Sequence, residues 1–322
     1  MQRLSDRFVR DASRTARISQ RDEGVMPIDF ASFFASSSPI SGSGSGTTAA
    51  GASTAAPARS TRGPLLLIAG PCVLDRDEIN MRIGETLRDA CAKHGLSFVF
   101  KASFDKANRS SARSARGPGV ERGCEMLAKL RERLGVPVTT DIHEPQQAAT
   151  AAQAVDILQI PAFLARQSDL LTAAAATGRA VNVKKGQFMA PAEMAGVLGK
   201  LREAGAKQVM LTERGTFFGY HRLVNDFVGV ADMMDFGVPV CFDATHSTQR
   251  PGEGAESGGH AHRAPMLARA AVAAGVDAVF IECHTDPSSS PSDRATIQPL
   301  AAMGALIAQL ARIRLASLAG VS

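Results

Sequence analysis

Short apolar runs that alternate with amphipathic stretches constrain the fold of this chain more than any other feature. From Gly63 onward, β-branched or Leu-rich runs recur at residues 65–69, 98–101, 137–140, 156–160, 180–183, 208–212, 239–242 and 278–282. Helical patterns lie between most of them; in the first, Ile79, Ile83 and Leu87 are spaced by four and form one apolar stripe. Strands that alternate with helices indicate βα units and a parallel sheet.

Eight βα units in about 260 residues are typical of a closed (β/α)8 TIM barrel, which we predict for residues 63–322 as one catalytic domain. A doubly wound open sheet is the alternative, although no G-x-G-x-x-G motif follows an early strand.

Residues 1–62 are Arg- and Ser-rich and then Ser/Gly/Ala-rich. Such a composition buries too little apolar surface to offset its ordering entropy, so we expect a disordered, low-complexity N-terminal extension.

Charge, hydropathy and cysteine content exclude several classes of protein. The net charge is +5, but the first 62 residues hold eight Arg against five carboxylates, so the barrel region contributes only +2. This balance does not support a nucleic-acid partner. No apolar run approaches the roughly 18 residues that span a bilayer. The five cysteines are widely spaced without a CxxC pair, which indicates reduced thiols in a cytoplasmic enzyme.

Cationic residues cluster where the strands of a barrel would end, which is where barrel enzymes carry their chemistry. Lys101, Lys106, Arg109, Lys184 and Arg214 follow the second, fifth and sixth predicted strands. Ammonium and guanidinium groups bind phosphate oxygens strongly. The pattern therefore predicts phosphorylated substrates and two phosphate subsites.

Four potential metal ligands follow the first, seventh and eighth predicted strands. They are Cys72, His246, Glu282 and Asp293, and the first and eighth strands are neighbours in a closed barrel. A thiolate, an imidazole and two carboxylates suit Fe²⁺, Mn²⁺, Co²⁺ or Zn²⁺ better than Mg²⁺. The alternative is that Cys72 is a small buried residue and His246 a hydrogen-bonded histidine at the end of a strand.

The segment 249–260 contains four glycines and lies beside the expected site. It is too Gly-rich to predict regular structure, and we expect a mobile lid over the site. A surface loop without a role is the alternative.

Six segments resemble the 3-deoxy-D-manno-octulosonate 8-phosphate synthase family. They are IAGPC (68–72), FKASFDKANRSS (100–111), NVKKGQF (182–188), ERG (213–215), FDATHS (242–247) and the stretch 282–293. The KANRSS string is the most specific, because the related heptulosonate phosphate synthases carry Lys-Pro-Arg in its place. Phe217 and His221-Arg222 depart from the family pattern and affect the expected substrate positioning more than the reaction class.

The resemblance implies condensation of phosphoenolpyruvate with D-arabinose 5-phosphate and water, giving 3-deoxy-D-manno-octulosonate 8-phosphate and inorganic phosphate for lipopolysaccharide precursor synthesis. Alternatives are a related heptulosonate phosphate or sialic acid synthase, or a catalytically silent barrel scaffold. Cysteine at position 72 resembles the metal-dependent branch of the family. The resemblance assigns Lys101, Lys106, Lys184 and Arg214 to phosphoenolpyruvate, and Asp141 and Gln159 to the wall of the pocket. It assigns Asn108, Arg109 and Ser110 to the sugar phosphate, which they would reach across a subunit boundary of a homotetramer. It assigns Cys72, His246, Glu282 and Asp293 to the metal, and Lys101, Lys106, His246 and Asp293 to catalysis.

Overall fold

A computed structural model describes residues 63–107, 116–252 and 258–319 of the chain. The predicted extension, residues 1–62, lies outside this range. Within it, the barrel strands are β1 (Leu66–Gly70), β2 (Ser97–Lys101), β3 (Val138–Asp141), β4 (Ile157–Ile160), β5 (Ala180–Lys184), β6 (Val209–Glu213), β7 (Val240–Asp243) and β8 (Ala278–His284).

The strands form one closed parallel sheet. Each pairs with the next along the chain, and β1 also pairs with β8 in the register Leu66↔Ala278 to Gly70↔Glu282. Closure by this last pair confirms the predicted (β/α)8 barrel and excludes the doubly wound open sheet. Every predicted strand overlaps an observed one, with ends that differ by at most two residues.

Helices cover the outer face of the barrel. They are α1 (Asp77–His94), α2 (Val120–Leu134), α3 (Gln147–Ala154), α4 (Ser168–Ala176), α5 (Met194–Glu203), α6 (Phe227–Met234), α7 (Ala264–Ala274) and α8 (Leu300–Ala319). Among the described helices, α8 alone is long and apolar enough to cross a membrane by length and composition. It packs against α1 and α7 and buries Leu306, Ile307 and Leu310, as expected of the closing helix of a barrel.

Alternation along the strands divides the core into two layers, because successive side chains of a strand point to opposite faces. The layer inside the barrel contains Leu66, Ile68, Val99, Ile157, Ala180, Met210, Cys241, Ala278 and Phe280. The larger layer between strands and helices takes the residues of opposite parity, such as Leu67, Phe100 and Val183. The inside positions are therefore apolar toward the N-terminal ends of the strands. Inside positions nearer the C-terminal ends of the strands carry the polar residues described below.

Two features shape the mouth of the barrel, which we define as the C-terminal ends of the strands. Gly70 ends β1 where β2 approaches closely, since a Cβ on this residue would lie 2.2 Å from the carbonyl oxygen of Lys101. After β7, residues Gln249–Arg250 pair antiparallel with Gly258–Gly259. The expectation that 249–260 lacks regular structure was therefore wrong at its two ends, where backbone pairing needs no side chain. Residues 253–257 lie outside the described range, and the lid remains a prediction.

Candidate active site

The barrel brings the described candidate residues together at its mouth. Most of them occupy inside positions of their strands: Lys101 on β2, Asp141 on β3, Gln159 on β4, Lys184 on β5 and Glu282 on β8. Cys72, Lys106, Arg214, His246 and Asp293 lie on the loops that follow. Asn108, Arg109 and Ser110 lie outside the described residues. Lys106 precedes that segment and Arg116 follows it, and the backbone N–H of Lys106 donates to the carbonyl oxygen of Arg116 (2.8 Å).

A chain of hydrogen bonds crosses the barrel below the mouth. Lys101 Nζ lies 3.5 Å from a carboxylate oxygen of Asp141, and Asp141 accepts from Gln159 Nε2 (2.6 Å). Gln159 in turn accepts from Asn182 (3.0 Å), which accepts from Thr212 (2.7 Å). Burial alone would raise the pKa of Asp141, but Lys101, Lys106 and Lys184 together hold it well below its ordinary value. This layer fixes an ionised carboxylate beneath the lysines.

Lys184 is held by a carboxylate that the sequence reasoning did not select. Its Nζ lies 2.6 Å from Asp243 Oδ2 at the end of β7 and 3.8 Å from the centroid of the Phe280 ring. The same oxygen of Asp243 lies 2.7 Å from Nδ1 of His246. Burial would raise the pKa of Asp243, yet His246 and Lys184 outweigh it and hold that pKa far below its ordinary value.

Three of the four proposed metal ligands converge. Suitable donor atoms of Cys72, Glu282 and Asp293 all lie within 4.8 Å of one another, and Nε2 of His246 lies 3.8 Å from Glu282 Oε2. Glu282 Oε2 is buried and has no hydrogen-bond partner among the described residues, whereas Oε1 accepts from Lys101 Nζ (2.8 Å). Burying an oxygen without a partner is costly, so this atom is suited to a cation.

The surroundings of the Cys72 thiol favour its protonated form. Burial, reinforced by Asp293 and Glu282, raises the pKa of its thiol well above the ordinary value, and Sγ donates to Asp293 Oδ2 (2.7 Å). Asp293 itself has φ +52°, a left-handed conformation that non-glycine residues rarely adopt. Ser292 Oγ (2.7 Å) and Gln249 Nε2 (3.2 Å) also donate to the Asp293 carboxylate. A divalent cation bound here would displace the thiol proton.

Arg214 presents a donor toward the site. Its side chain is buried, and Nη2 donates to Gln249 Oε1 (2.6 Å), but buried Nη1 has no hydrogen-bond partner among the described residues. Glu213 stabilises the backbone around Arg214, because its carboxylate accepts from the N–H groups of Arg214 and Gly215. The same carboxylate pairs with buried Lys185 (3.5 Å). A guanidinium held so firmly with one free edge is suited to bind an oxyanion.

Five residues that join the candidate residues were not predicted from the sequence: Ser103, Asn182, Asp243 and Gln249 contact them directly, and Thr212 does so through Asn182. Asp141 accepts from Ser103 Oγ, and Gln249 joins Arg214 to Asp293. Parity was the available signal for three of them: Asn182, Thr212 and Asp243 lie an even number of residues from the apolar inside positions of β5, β6 and β7. Gln249 had no such signal, because it follows the last barrel residue of β7 by six positions.

The formal charges of the protein groups at the mouth cancel. Lys101, Lys106, Lys184 and Arg214 carry four positive charges, and Asp141, Asp243, Glu282 and Asp293 carry four negative ones. The cations Lys101 and Lys184 nevertheless have carboxylate partners, whereas Oε2 of Glu282 has no hydrogen-bond partner among the described residues. The arrangement can therefore hold a multiply charged anion beside a divalent cation, with each compensating the other.

Comparison with known proteins places the chain among enzymes of one kind. A sequence model of the DAHP synthetase I family matches residues 58–312. A protein of Nitratidesulfovibrio vulgaris named 2-dehydro-3-deoxyphosphooctonate aldolase is 55% identical over 243 residues, which cover 75% of this chain and 89% of that protein. Proteins of the same name from Synechococcus sp. (52% identical; 76% and 86% covered) and Rhodopseudomonas palustris (53%; 74% and 84%) are similar to the same extent.

Proposed function

The chain belongs to the DAHP synthetase I family and, within it, to the 2-dehydro-3-deoxyphosphooctonate aldolases, and from this premise we propose how its residues carry out the reaction. That name and 3-deoxy-D-manno-octulosonate 8-phosphate synthase describe the same activity. The chain condenses phosphoenolpyruvate with D-arabinose 5-phosphate and water, giving 3-deoxy-D-manno-octulosonate 8-phosphate and inorganic phosphate, in lipopolysaccharide precursor synthesis. The shared name of the relatives does not favour a heptulosonate phosphate or sialic acid synthase, nor a silent scaffold.

The free edge of Arg214 is the observation that best supports a phosphoenolpyruvate site. Nη1 is buried without a partner among the described residues, while the ammonium groups of Lys101 and Lys184 are anchored by buried carboxylates. An anion with a phosphate and a carboxylate satisfies the guanidinium and both lysines at once. We assign Lys101, Lys106, Lys184 and Arg214 to phosphoenolpyruvate on this basis.

Lys106 lies at the junction of the two substrate subsites. Its Nζ is 3.9 Å from Glu282 Oε1, and the chain continues from it to Asn108, Arg109 and Ser110, which we assign to the phosphate of the sugar. In the reaction, C3 of phosphoenolpyruvate bonds to the aldehyde carbon, and the aldehyde oxygen takes a proton. Ammonium charge at Lys101 and Lys106 stabilises the negative charge that develops on that oxygen.

Water adds at C2 of the former phosphoenolpyruvate, and the resulting hemiketal phosphate loses inorganic phosphate by cleavage of the C–O bond. Arg214 and Lys184 hold the phosphate before and after this cleavage. Asp141 and Gln159 form the wall of the pocket, and their hydrogen bond keeps the carboxylate oriented toward Lys101. Preorganised charge of this kind lowers the barrier without reorganisation during the reaction.

We also propose that the enzyme is metal-dependent, with Cys72, His246, Glu282 and Asp293 as ligands for Fe²⁺, Mn²⁺, Co²⁺ or Zn²⁺. The unpaired buried oxygen of Glu282 and the mixture of sulfur, nitrogen and oxygen donors support this fit. When bound, such an ion supplies Lewis acidity and lowers the pKa of a water molecule. The Cys72 thiol donates to Asp293, and as a metal ligand Cys72 would be a thiolate.

Phosphate release tests the substrate assignment. We expect release with phosphoenolpyruvate and arabinose 5-phosphate, and little with erythrose 4-phosphate or N-acetylmannosamine. Faster turnover with either of the other two aldoses would contradict the proposal.

Chelation tests the metal requirement. We expect a chelator to abolish activity and Mn²⁺ or Fe²⁺ to restore it, and we expect Cys72→Asn to remove the response to metal. Cys283→Ala is the matched control, because Cys283 is equally buried but belongs to the outer layer of the core. An enzyme that keeps full activity both in chelator and as Cys72→Asn has no metal requirement.

The subunit arrangement and location are further parts of the proposal. Exposed aromatic side chains surround the loops after β4, β5 and β6, with Phe218 and Tyr220 more than 90% exposed and Phe163 and Phe188 about half exposed. Exposed apolar side chains on neighbouring loops support a subunit interface, and we propose a cytoplasmic homotetramer. Sedimentation of the full chain, and of a Phe218→Ser variant, tests the assembly.

A further inference from the structure

One carboxylate oxygen serves both the lysine of the anion subsite and the histidine of the metal subsite. Asp243 is fully buried at the end of β7. Its Oδ2 lies 2.6 Å from Lys184 Nζ and 2.7 Å from His246 Nδ1, and its Oδ1 accepts from the backbone N–H of His246 (2.9 Å). An ionised carboxylate only accepts hydrogen bonds, so both side chains must present a proton to this oxygen.

The contact with Asp243 decides which nitrogen of His246 is free. Because Nδ1 donates to Asp243, the lone pair of the neutral ring is on Nε2, which is the nitrogen that lies 3.8 Å from Glu282 Oε2. Hydrogen bonds of this kind fix the tautomer and orientation of ligating histidines. Asp243 thus prepares His246 as a ligand.

The same contact decides where the ammonium of Lys184 lies. The ring of Phe280 lies against the same ammonium group, with 3.8 Å between the ring centroid and Nζ. An aromatic face attracts a cation but accepts no directed hydrogen bond comparable to that of a carboxylate. Asp243 is the carboxylate hydrogen-bonded to Lys184 within the described part of the chain.

We propose that Asp243 is a positioning residue common to both subsites, so that phosphoenolpyruvate binding and metal binding depend on the same oxygen atom. This inference rests on the proposed function, since it names a further residue of the same site. Asp243 acts through Lys184 and His246, whose side chains it holds.

For Asp243→Asn, the lost charge and the lost acceptor make opposite predictions for the binding of phosphoenolpyruvate. Removal of one negative charge, taken alone, attracts the anion more strongly and the cation less strongly. Loss of the carboxylate weakens both, because the amide either turns its NH2 group toward Lys184 and His246, or keeps its oxygen there and turns the NH2 group against the backbone N–H of His246. Asp243→Glu separates the two effects in the complementary way, because it keeps the charge and displaces the oxygen.

Binding to the purified full chain tests the inference without turnover. Co²⁺ affinity is measured from the thiolate–Co²⁺ absorption, and phosphoenolpyruvate affinity from calorimetry on metal-free protein. For Asp243→Asn we expect Co²⁺ binding to weaken about 10–100-fold, with an altered absorption spectrum, and phosphoenolpyruvate binding to weaken roughly tenfold or more. Asp243→Glu should also weaken both.

Three further variants provide the matched comparisons. Lys184→Met should weaken only phosphoenolpyruvate binding, and His246→Ala only Co²⁺ binding. Asp156→Asn removes a buried carboxylate that pairs with Arg131 at the opposite end of the barrel and should change neither affinity. Thermal unfolding of each variant verifies folding.

The outcomes separate this inference from the proposed function. If the wild-type chain binds no phosphoenolpyruvate, the proposed function fails. If the wild type binds both ligands and Asp243→Asn binds phosphoenolpyruvate equally or more tightly, or if either Asp243 variant leaves one of the two affinities unchanged, the shared positioning role is wrong.

Discussion

Replacement of Arg214 by lysine tests the anion subsite most directly, because it keeps the charge and removes the planar fork. Arg214 is buried, one edge is held by Gln249 at 2.6 Å, and the other edge has a buried Nη1 without a partner among the described residues. Lysine retains the charge on a single nitrogen and loses the planar fork that donates to Gln249 along one edge and to phosphate along the other.

The expected loss is one charge-assisted hydrogen bond. Such a bond contributes about 1.5–3 kcal/mol, which corresponds to a roughly 10–150-fold weaker affinity for phosphoenolpyruvate. Substrate at 100 times the wild-type Kd stabilises the wild type by about 2.7 kcal/mol. The same concentration should stabilise Arg214→Lys by only about 0.3–1.4 kcal/mol.

Chemical unfolding with and without phosphoenolpyruvate measures this difference. In the absence of substrate, we expect the variant to unfold at nearly the wild-type denaturant concentration, since the unpaired donor of Arg214 costs stability in the free enzyme. Arg131→Lys is the control: Arg131 forms a paired contact with Asp156 far from the mouth, so the substrate effect should be unchanged. A wild-type response to phosphoenolpyruvate in Arg214→Lys would refute the reasoning.

Three other substitutions test the scaffold around the site. The lysines hold the pKa of Asp141 below its ordinary value despite burial. The charge of Asp141 therefore contributes stability above its unfolded pKa of about 3.9, and this stability is lost as pH falls through the lower folded pKa. Asp141→Asn should flatten the loss of unfolding free energy below pH ~4, and an unchanged slope would contradict this. Gly70→Ala places a Cβ 2.2 Å from a neighbouring backbone oxygen and should destabilise the folded protein by at least about 1–3 kcal/mol. The control is Gly196→Ala, in open space on α5, which should stabilise the folded protein by up to about 1 kcal/mol. Equal effects of the two substitutions in thermal unfolding would contradict the close approach at Gly70. Lys185→Met leaves buried Glu213 without its cation and should cost about 3–5 kcal/mol in urea unfolding, with part of the loss recovered when Glu213→Gln is added.

The fold was predictable because each strand carries its own signal. The apolar runs of β1 and β8 define their lengths, and a parallel sheet of eight βα units closes with few alternatives. Errors were confined to strand ends and to the ends of 249–260, where backbone pairing between Gln249 and Gly259 leaves no mark in hydropathy.

The site was predictable in part, since residue type and position after a strand indicated Lys101, Lys184, Arg214 and Glu282. The residues that orient them were harder to find. Gln249 is an ordinary polar residue in a Gly-rich stretch, and only its contacts with Arg214 and Asp293 distinguish it.

The sequence by itself determined the barrel and the cationic character of its mouth, and it predicted four candidate metal ligands, because periodicity and residue chemistry are local properties. Only the tertiary structure decided which groups share a proton or a charge. Asp243 Oδ2 meets Lys184 from β5 and His246 from the loop after β7, and Cys72 meets Asp293 across 221 positions of the chain. Such pairings depend on strand register and loop geometry, which set interatomic distances that no single segment of the sequence contains.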